Sequence, residues 1–318
     1  MTTLSIPGNL LLAGEYAVLE EGGLGLAVAV PPRVFVRVSK PPNLKGLRFH
    51  GLTAGGAVCF GLTGAEGQFH DFSHRLVAAA LRPAAPAPPA AHTDVPPGLI
   101  EVDSRALYRP DGQKSGRGSS AALAVAVTAA VGELAGRSYR GRLDALMRRA
   151  VEVHRTAQDG RGSGYDVATS VFGGTILFVG GKSPGVYRLG PAALWDARLV
   201  FGEASVSTRD AVARYGAWKE QNPGAAAAFL TESNRAVLEL SRALDEGRHQ
   251  FAAALRRAAA IGSRVGQAIG VPVSQDRWTG SNAPFEAVKA LGAGGEIGIA
   301  LTDAGESVQT AYEGVRWN

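Results

Sequence analysis

Residues 119–136 read "SSAALAVAVTAAVGELAG", and no other stretch restricts the fold as much. Small apolar residues recur there without a polar face, so a helix over them must be buried on several sides. Gly136 marks its end. Immediately upstream, "DGQKSGRGSS" (Asp111–Ser120) sets glycines and serines against two cations. The start of a helix leaves backbone N–H groups without intrahelical partners and carries the positive end of the helix dipole. Glycine lets that backbone approach a ligand, and Lys114 and Arg117 add positive charge. Ser119 or Ser120 can cap the helix, and a free hydroxyl there can join a Mg2+ shell. Together these parts predict a phosphate cradle. No Gly-Lys-Ser/Thr follows at the spacing of a Walker A loop, and Gly-x-Gly-x-x-Gly is absent as well. The competing reading is a flexible loop with an ordinary N-cap.

The rest of the chain predicts an α+β fold. "LSIPGNLLLAGEYAVLEEGGLGLAVAV" reads as a strand, a tight turn, a short element and a second strand, punctuated at Pro7-Gly8 and Gly22-Gly23. "RVFVRVSK" (Arg33–Lys40) nearly alternates polar and apolar, as a half-buried strand does. Arg82–Gly98 holds six prolines and predicts an exposed loop, and Leu99–Tyr108 returns to a strand pattern. A second helix spans "RLDALMRRAVEVHRTAQ". Its stripe is Leu143, Leu146, Met147, Ala150 and Val151, continued by His154 and Gln158. A glycine loop, a short helix from about Asp166 and a strand at Thr175–Val179 follow. Two alanine-rich helices, about Gly224–Glu246 and Arg248–Ile269, lead to a glycine turn and a last strand. The change of style predicts two domains, 1–190 and 191–318.

A formal charge of +5 and a pI near 9.5 raise the question of nucleic acid. Scattered arginines, no Lys/Arg run longer than two and only 7% aromatic residues argue against it. Small anionic substrates suit such a field equally well. The single cysteine, Cys59, allows no internal disulfide, and the apolar run Leu24–Val30 is too short to cross a bilayer. With no leader pattern after Met1, a soluble, cytoplasmic protein without a membrane partner is expected.

"PGNLLLAGEYAVL" (Pro7–Leu19), "SGRGSSAAL" (Ser115–Leu123) and "GAGGEIGIAL" (Gly292–Leu301) resemble, in order, the three signature motifs of the GHMP kinase superfamily. "VHRTAQDGRGSGYDVATSVFGG" (Val153–Gly174) resembles the phosphomevalonate kinase version of the segment that carries a catalytic aspartate in mevalonate kinase. The resemblance implies an N-terminal domain like that of ribosomal protein S5 and a ferredoxin-like C-terminal domain. It implies ATP and Mg2+ as cofactors and a phosphorylated or hydroxylated small acid as substrate, in a monomer or homodimer. Carried over by position, Ser115, Gly116, Arg117, Gly118, Ser119 and Ser120 would wrap the ATP phosphates, with Ser120 and Glu15 near the metal. Gly292, Ala293, Gly294 and Gly295 would form the second glycine loop. Asp166 would meet the acceptor, assisted by Lys114. Asn9, Glu15, Tyr16, Ser163, Gly164 and Lys182 would line the substrate.

Two positions depart from the family pattern. Asn9 stands where a lysine is usual, and a neutral amide cannot offset charge on a transferring phosphoryl group. Arg117 stands where leucine is common, and with Lys114 and Lys182 it is a candidate replacement. Acceptor chemistry separates the branches. An alcohol needs a base such as Asp166 to take its proton, whereas a phosphate monoester with a second pKa of about 6 is already largely ionised. Its charge instead calls for cations, for which Arg155, Arg161 and Lys182 are available. The expectation is phosphomevalonate kinase activity; the alternatives are mevalonate kinase or another small-molecule GHMP kinase, and a non-catalytic protein of the same fold.

Overall fold

The computed structural model describes residues 1–62, 71–82, 95–113, 115–190, 194–202, 207–271, 285–292, 297–302 and 306–318. Its strands are β1 (Thr2–Ala13), β2 (Leu24–Ser39), β3 (Leu47–Thr53), β4 (Gly56–Leu62), β5 (Gly98–Asp103), β6 (Thr175–Val179), β7 (Gly185–Gly190), β8 (Arg198–Phe201), β9 (Ala287–Leu291), β10 (Ile297–Leu301), β11 (Glu306–Ser307) and β12 (Arg316–Trp317). Its helices are α1 (Phe72–Leu81), α2 (Ser119–Leu134), α3 (Leu143–Ala157), α4 (Tyr165–Phe172), α5 (Thr208–Gln221), α6 (Pro223–Glu246) and α7 (Arg248–Ala268). The fold is α+β. The chain packs as two units, one of residues 1–9, 31–173 and 313–318, the other of 10–30 and 174–312. β1 and β2 contribute residues to both.

In the first unit the strand order is β12-β1-β2-β5-β3-β4, with β3 parallel to β5 and the pairs β1–β12, β2–β5 and β3–β4 antiparallel. β1 runs straight through Pro7-Gly8, where the sequence predicts a turn. Proline removes only a donor, and its carbonyl here is used, accepting a hydrogen bond from Ser170 Oγ at 2.9 Å. Along β2, Val34, Val36 and Val38 are buried while Phe35 and Arg37 are exposed, so the alternation of "RVFVRVSK" is realised with Phe35 outward. α2 is the buried helix that its composition requires: every residue except Ser119, Ser120, Leu123 and Glu133 is buried. The predicted stripe of α3 is buried from Leu146 onward, and it includes His154. The proline-rich loop lies mostly at 83–94, outside the described residues.

The chain end is locked into this unit by one buried arginine. Arg33 Nε donates to Ser5 Oγ (3.0 Å), Nη2 to the Ser5 carbonyl (2.9 Å) and the Gly314 carbonyl (2.5 Å), and Nη1 to the Glu313 carbonyl (3.2 Å). Burial, reinforced by Arg316 and opposed by Glu313, pulls its pKa down to about 10. The segment it holds lies against the end of α4: Val315 N–H donates to the Val171 carbonyl, and a Cβ on Gly173 would come within 2.2 Å of Gly314 N.

In the second unit, β6 pairs antiparallel with Leu24–Val28 of β2 and with β7. A separate antiparallel sheet has the order β11-β8-β10-β9. α6 and α7 form a hairpin turned at Gly247, whose φ of 122° suits glycine alone. The core joins Leu12, Val28, Leu240, Phe251, Leu255 and Ile299. Among the described residues no helix is long and apolar enough to cross a membrane.

Replacing Arg33 with methionine strands three backbone carbonyls and should cost about 2–4 kcal/mol. The checks are chemical denaturation and limited proteolysis, which should release the C-terminal residues before the rest of the chain is cut.

Candidate active site

The glycine loop of Ser115–Ser120 lies at the start of α2. Gly116 and Gly118 both adopt the left-handed conformation, at φ 70° and 68°. Gly118 is the N-cap and offers no side-chain cap, so the first N–H groups of α2 meet no capping oxygen. That arrangement fits an anion. Ser119 and Ser120 are half-buried at the helix mouth. Ser115 is instead committed to structure, its hydroxyl donating to the Leu107 carbonyl at 2.6 Å, so that hydroxyl is not free for a ligand. Arg117 is buried. Lys114 lies outside the described residues.

Asp166 sits in the first turn of α4, behind the N-cap Gly164 at φ 94°. A Cβ on Gly164 would approach Val151 to 2.8 Å, so α3 and this loop pack closely only around glycine. Asp166 Oδ1 accepts from the Val167 N–H at 2.9 Å, and Oδ2 lies 3.9 Å from His154 Nδ1. Ser163 is buried, and its carbonyl and that of Gly162 accept from the Arg155 guanidinium at 2.7 and 2.9 Å. Arg155 therefore shapes the loop. Burial lowers its pKa, and the Asp166 charge partly opposes that. Arg161 is exposed.

Asn9 joins these pieces. It is 2% exposed; its N–H donates to the Arg117 carbonyl (3.0 Å), and its Nδ2 donates to Ser170 Oγ on α4 (3.0 Å). Gly118 lies directly over it: a Cβ there would fall within 2.1 Å of Asn9 Nδ2. The first motif, the glycine loop and the Asp166 helix are thus pinned to one residue, the loop by its backbone and the helix by its side chain.

In the second unit Glu15 and Tyr16 line a pocket with Gly262, Ser263 and Gly266 of α7, Lys289 of β9, and Gly292. Lys289 Nζ forms a buried ion pair with Glu15 Oε1, and it also donates to the Ala290 carbonyl at 2.8 Å. The sequence reading missed Lys289; its signal was a lone lysine in "AVKAL" just before a glycine turn. Tyr16 carries backbone strain, at φ 64° and ψ −41°, and stacks on Tyr215 with ring centroids 5.2 Å apart. Its hydroxyl is buried with no hydrogen-bond partner among the described residues. Burial first, then the Glu15 charge, pushes its pKa up to about 12, so it remains an O–H donor. Gly292 is left-handed at φ 68°, whereas Ala293, Gly294 and Gly295 lie outside the described residues. Lys182 is exposed in the turn between β6 and β7. No group of three or more His, Cys, Asp or Glu able to hold a metal occurs among the described residues.

The family model described as the GHMP kinases N terminal domain matches residues 75–174, which include the cradle and Asp166. The chain is 27% identical to a phosphomevalonate kinase of Streptomyces sp. (strain CL190), over 98% of this chain and 92% of that protein. It is 28% identical to a phosphomevalonate kinase of Saccharolobus solfataricus, over 55% of this chain and 49% of that protein. Residues 75–174 are thus similar to the N-terminal domain of GHMP kinases, and the chain along most of its length is similar to a phosphomevalonate kinase. Its fold is similar to that of Streptococcus pneumoniae phosphomevalonate kinase, solved in complex with phosphomevalonate and AMPPNP, with a TM-score of 0.69 at 19% identity over 96% of this chain and 93% of that one. The chain is an enzyme of the kinase class, similar to phosphomevalonate kinases.

Two substitutions test the geometry of the kinase. Gly118→Ala adds a Cβ both at positive φ and against Asn9, and should destabilise the protein by about 1–3 kcal/mol while cutting turnover at least about tenfold. Thermal melts read beside steady-state kinetics check it. Tyr16→Phe removes a hydroxyl without a protein partner and should change stability at neutral pH by less than about 1 kcal/mol. Because folding raises the Tyr16 pKa from 10.0 to about 12, its contribution is complete below pH 10 and is lost as pH rises through that interval. Alkaline melts of the variant should therefore fall less steeply there.

Proposed function

We propose that this kinase transfers the γ-phosphoryl group of ATP to (R)-5-phosphomevalonate, giving 5-diphosphomevalonate and ADP. The observation that carries the reading is the attachment of the glycine loop at α2 and of the Asp166 helix to the same residue, Asn9. Similarity to phosphomevalonate kinases supports the choice of acceptor. In this reading residues 1–190 hold the nucleotide and 191–318 form the second domain.

The backbone of residues 115–120 and the start of α2 hold the ATP phosphates, with Arg117 and Lys114 adding charge and Gly292–Gly295 forming a second loop. Mg2+, held by Ser120 and Glu15, would neutralise charge on the phosphates. An acceptor phosphate oxygen forms the new bond to the γ-phosphorus as the bond to the β–γ bridging oxygen breaks, and that electron pair leaves with ADP. Any proton still on the acceptor passes to Asp166. Asn9, Ser163, Gly164, Tyr16, Glu15 and Lys182 contribute to acceptor binding. Catalysis is mainly positioning and charge neutralisation. One observation favours a second reading: a histidine beside Asp166 suits a general base, which an alcohol such as mevalonate would need.

A panel of acceptors with ATP and Mg2+, read by ADP release, is the test. Turnover of phosphomevalonate is expected; robust turnover of mevalonate with none of phosphomevalonate would sink the proposal, and tight ATP binding with no ADP from any acceptor would point to a non-catalytic protein. Asp166→Ala should lower kcat about tenfold with a phosphate acceptor, against about 10²-fold or more for an alcohol.

A further inference from the structure

His154 closes the last turn of α3 and is 3% exposed, and its two ring nitrogens meet different groups. One turn along the helix, Gln158 Nε2 lies 2.7 Å from His154 Nε2. Across the ring, Nδ1 is 3.9 Å from Asp166 Oδ2. A neutral imidazole has one donor nitrogen and one acceptor nitrogen. With the Gln158 amide donating to Nε2, that nitrogen is the acceptor and the hydrogen sits on Nδ1, facing a carboxylate. The opposite tautomer would set a nitrogen lone pair against carboxylate lone pairs. The ring has little room to turn away, since it is buried and the Phe72 ring of α1 meets it edge-on at 6.1 Å between centroids.

We propose that His154 is a positioning residue for Asp166, on a tautomer set by Gln158; this rests on reading Asp166 as the carboxylate that meets the acceptor. Asp166 Oδ1 is already fixed by the Val167 N–H. A hydrogen bond from His154 Nδ1 to Oδ2, formed when the gap closes by about 1 Å, fixes the second oxygen and draws negative charge away from an incoming phosphate dianion. Apo hydrogen bonds of this kind commonly tighten only with substrate bound. Charged groups near it among the described residues include Asp166 from α4 and Arg155 on α3 itself, whose guanidinium is engaged by the Gly162 and Ser163 carbonyls. On α1, Arg75 pairs with Asp159.

Nitrogen NMR of the unliganded, isotope-labelled chain tests the tautomer independently of any acceptor. Hydrogen on Nδ1 is expected in the wild type, with a mixture of tautomers in Gln158→Met; a wild type with its hydrogen on Nε2 overturns the proposal. Kinetics test the consequence. His154→Leu should lose about tenfold in kcat with the KM for ATP unchanged, and His154→Asn, which retains a donor near the Nδ1 position, should recover to within about threefold of wild type. Equal losses in the two variants, or no loss in either, overturn it. Should His154→Leu fail to fold, Gln158→Met supplies the same comparison through a residue further from the carboxylate. If the wild type turns over no acceptor, the proposed function fails while the NMR result still decides the tautomer.

Discussion

One buried amide organises the first unit. The Asn9 backbone holds the glycine loop through the Arg117 carbonyl, and its side chain holds α4 through Ser170, whose hydroxyl passes the chain of hydrogen bonds back to Pro7. Each such bond contributes only about 1 kcal/mol net, but leaving a buried partner unmet costs about 1–3 kcal/mol. The network therefore fixes geometry more than it adds stability. In the proposed function a phosphate-binding loop and a carboxylate need that rigidity, because a displacement of about 1 Å can remove much of the rate.

The same residue changes the charge distribution. Where a lysine is usual in the family, the chain has a neutral side chain sealed under Gly118. Arg155, available by sequence for the acceptor's charge, spends its guanidinium on loop carbonyls, and Lys182, a candidate replacement, is a solvated turn residue. Arg117 is the candidate cation that the fold buries within the glycine loop itself. Under the proposed function, stabilisation of a transferring phosphoryl group leans on backbone N–H groups at the head of α2, which need no counter-charge and lose no side-chain entropy.

The second unit carries its own buried polar feature, the Glu15–Lys289 pair beside strained Tyr16. Taking two charges out of water costs nearly what their attraction returns, so such a pair is weak evidence of stability. It holds a carboxylate in one orientation at the edge of a pocket, next to a phenol whose hydrogen bond the protein leaves unmade. Polar groups so arranged are suited to a ligand with oxygen atoms to offer.

Local patterning determined a great deal. The small-residue helix, the stripe of α3, the short helix at Asp166, the hairpin of α6 and α7 and the glycine positions all follow from periodicity and from the few residues that tolerate positive φ. Helix α1, helix α5 and the β3–β4 hairpin were not legible, and Pro7-Gly8 looked like a turn, because strand pairing and packing overrode weak local preference. Only the tertiary structure decided what the polar residues do. Asn9 looked like a lost lysine and proved to be a buried clamp; Arg155 looked like a phosphate ligand and proved to shape a loop; Lys289 passed unnoticed until the fold set it against Glu15, 274 residues away. Periodicity reports which face of an element is buried, whereas the partner of a buried polar group comes from a distant part of the chain and leaves no mark on the residues beside it.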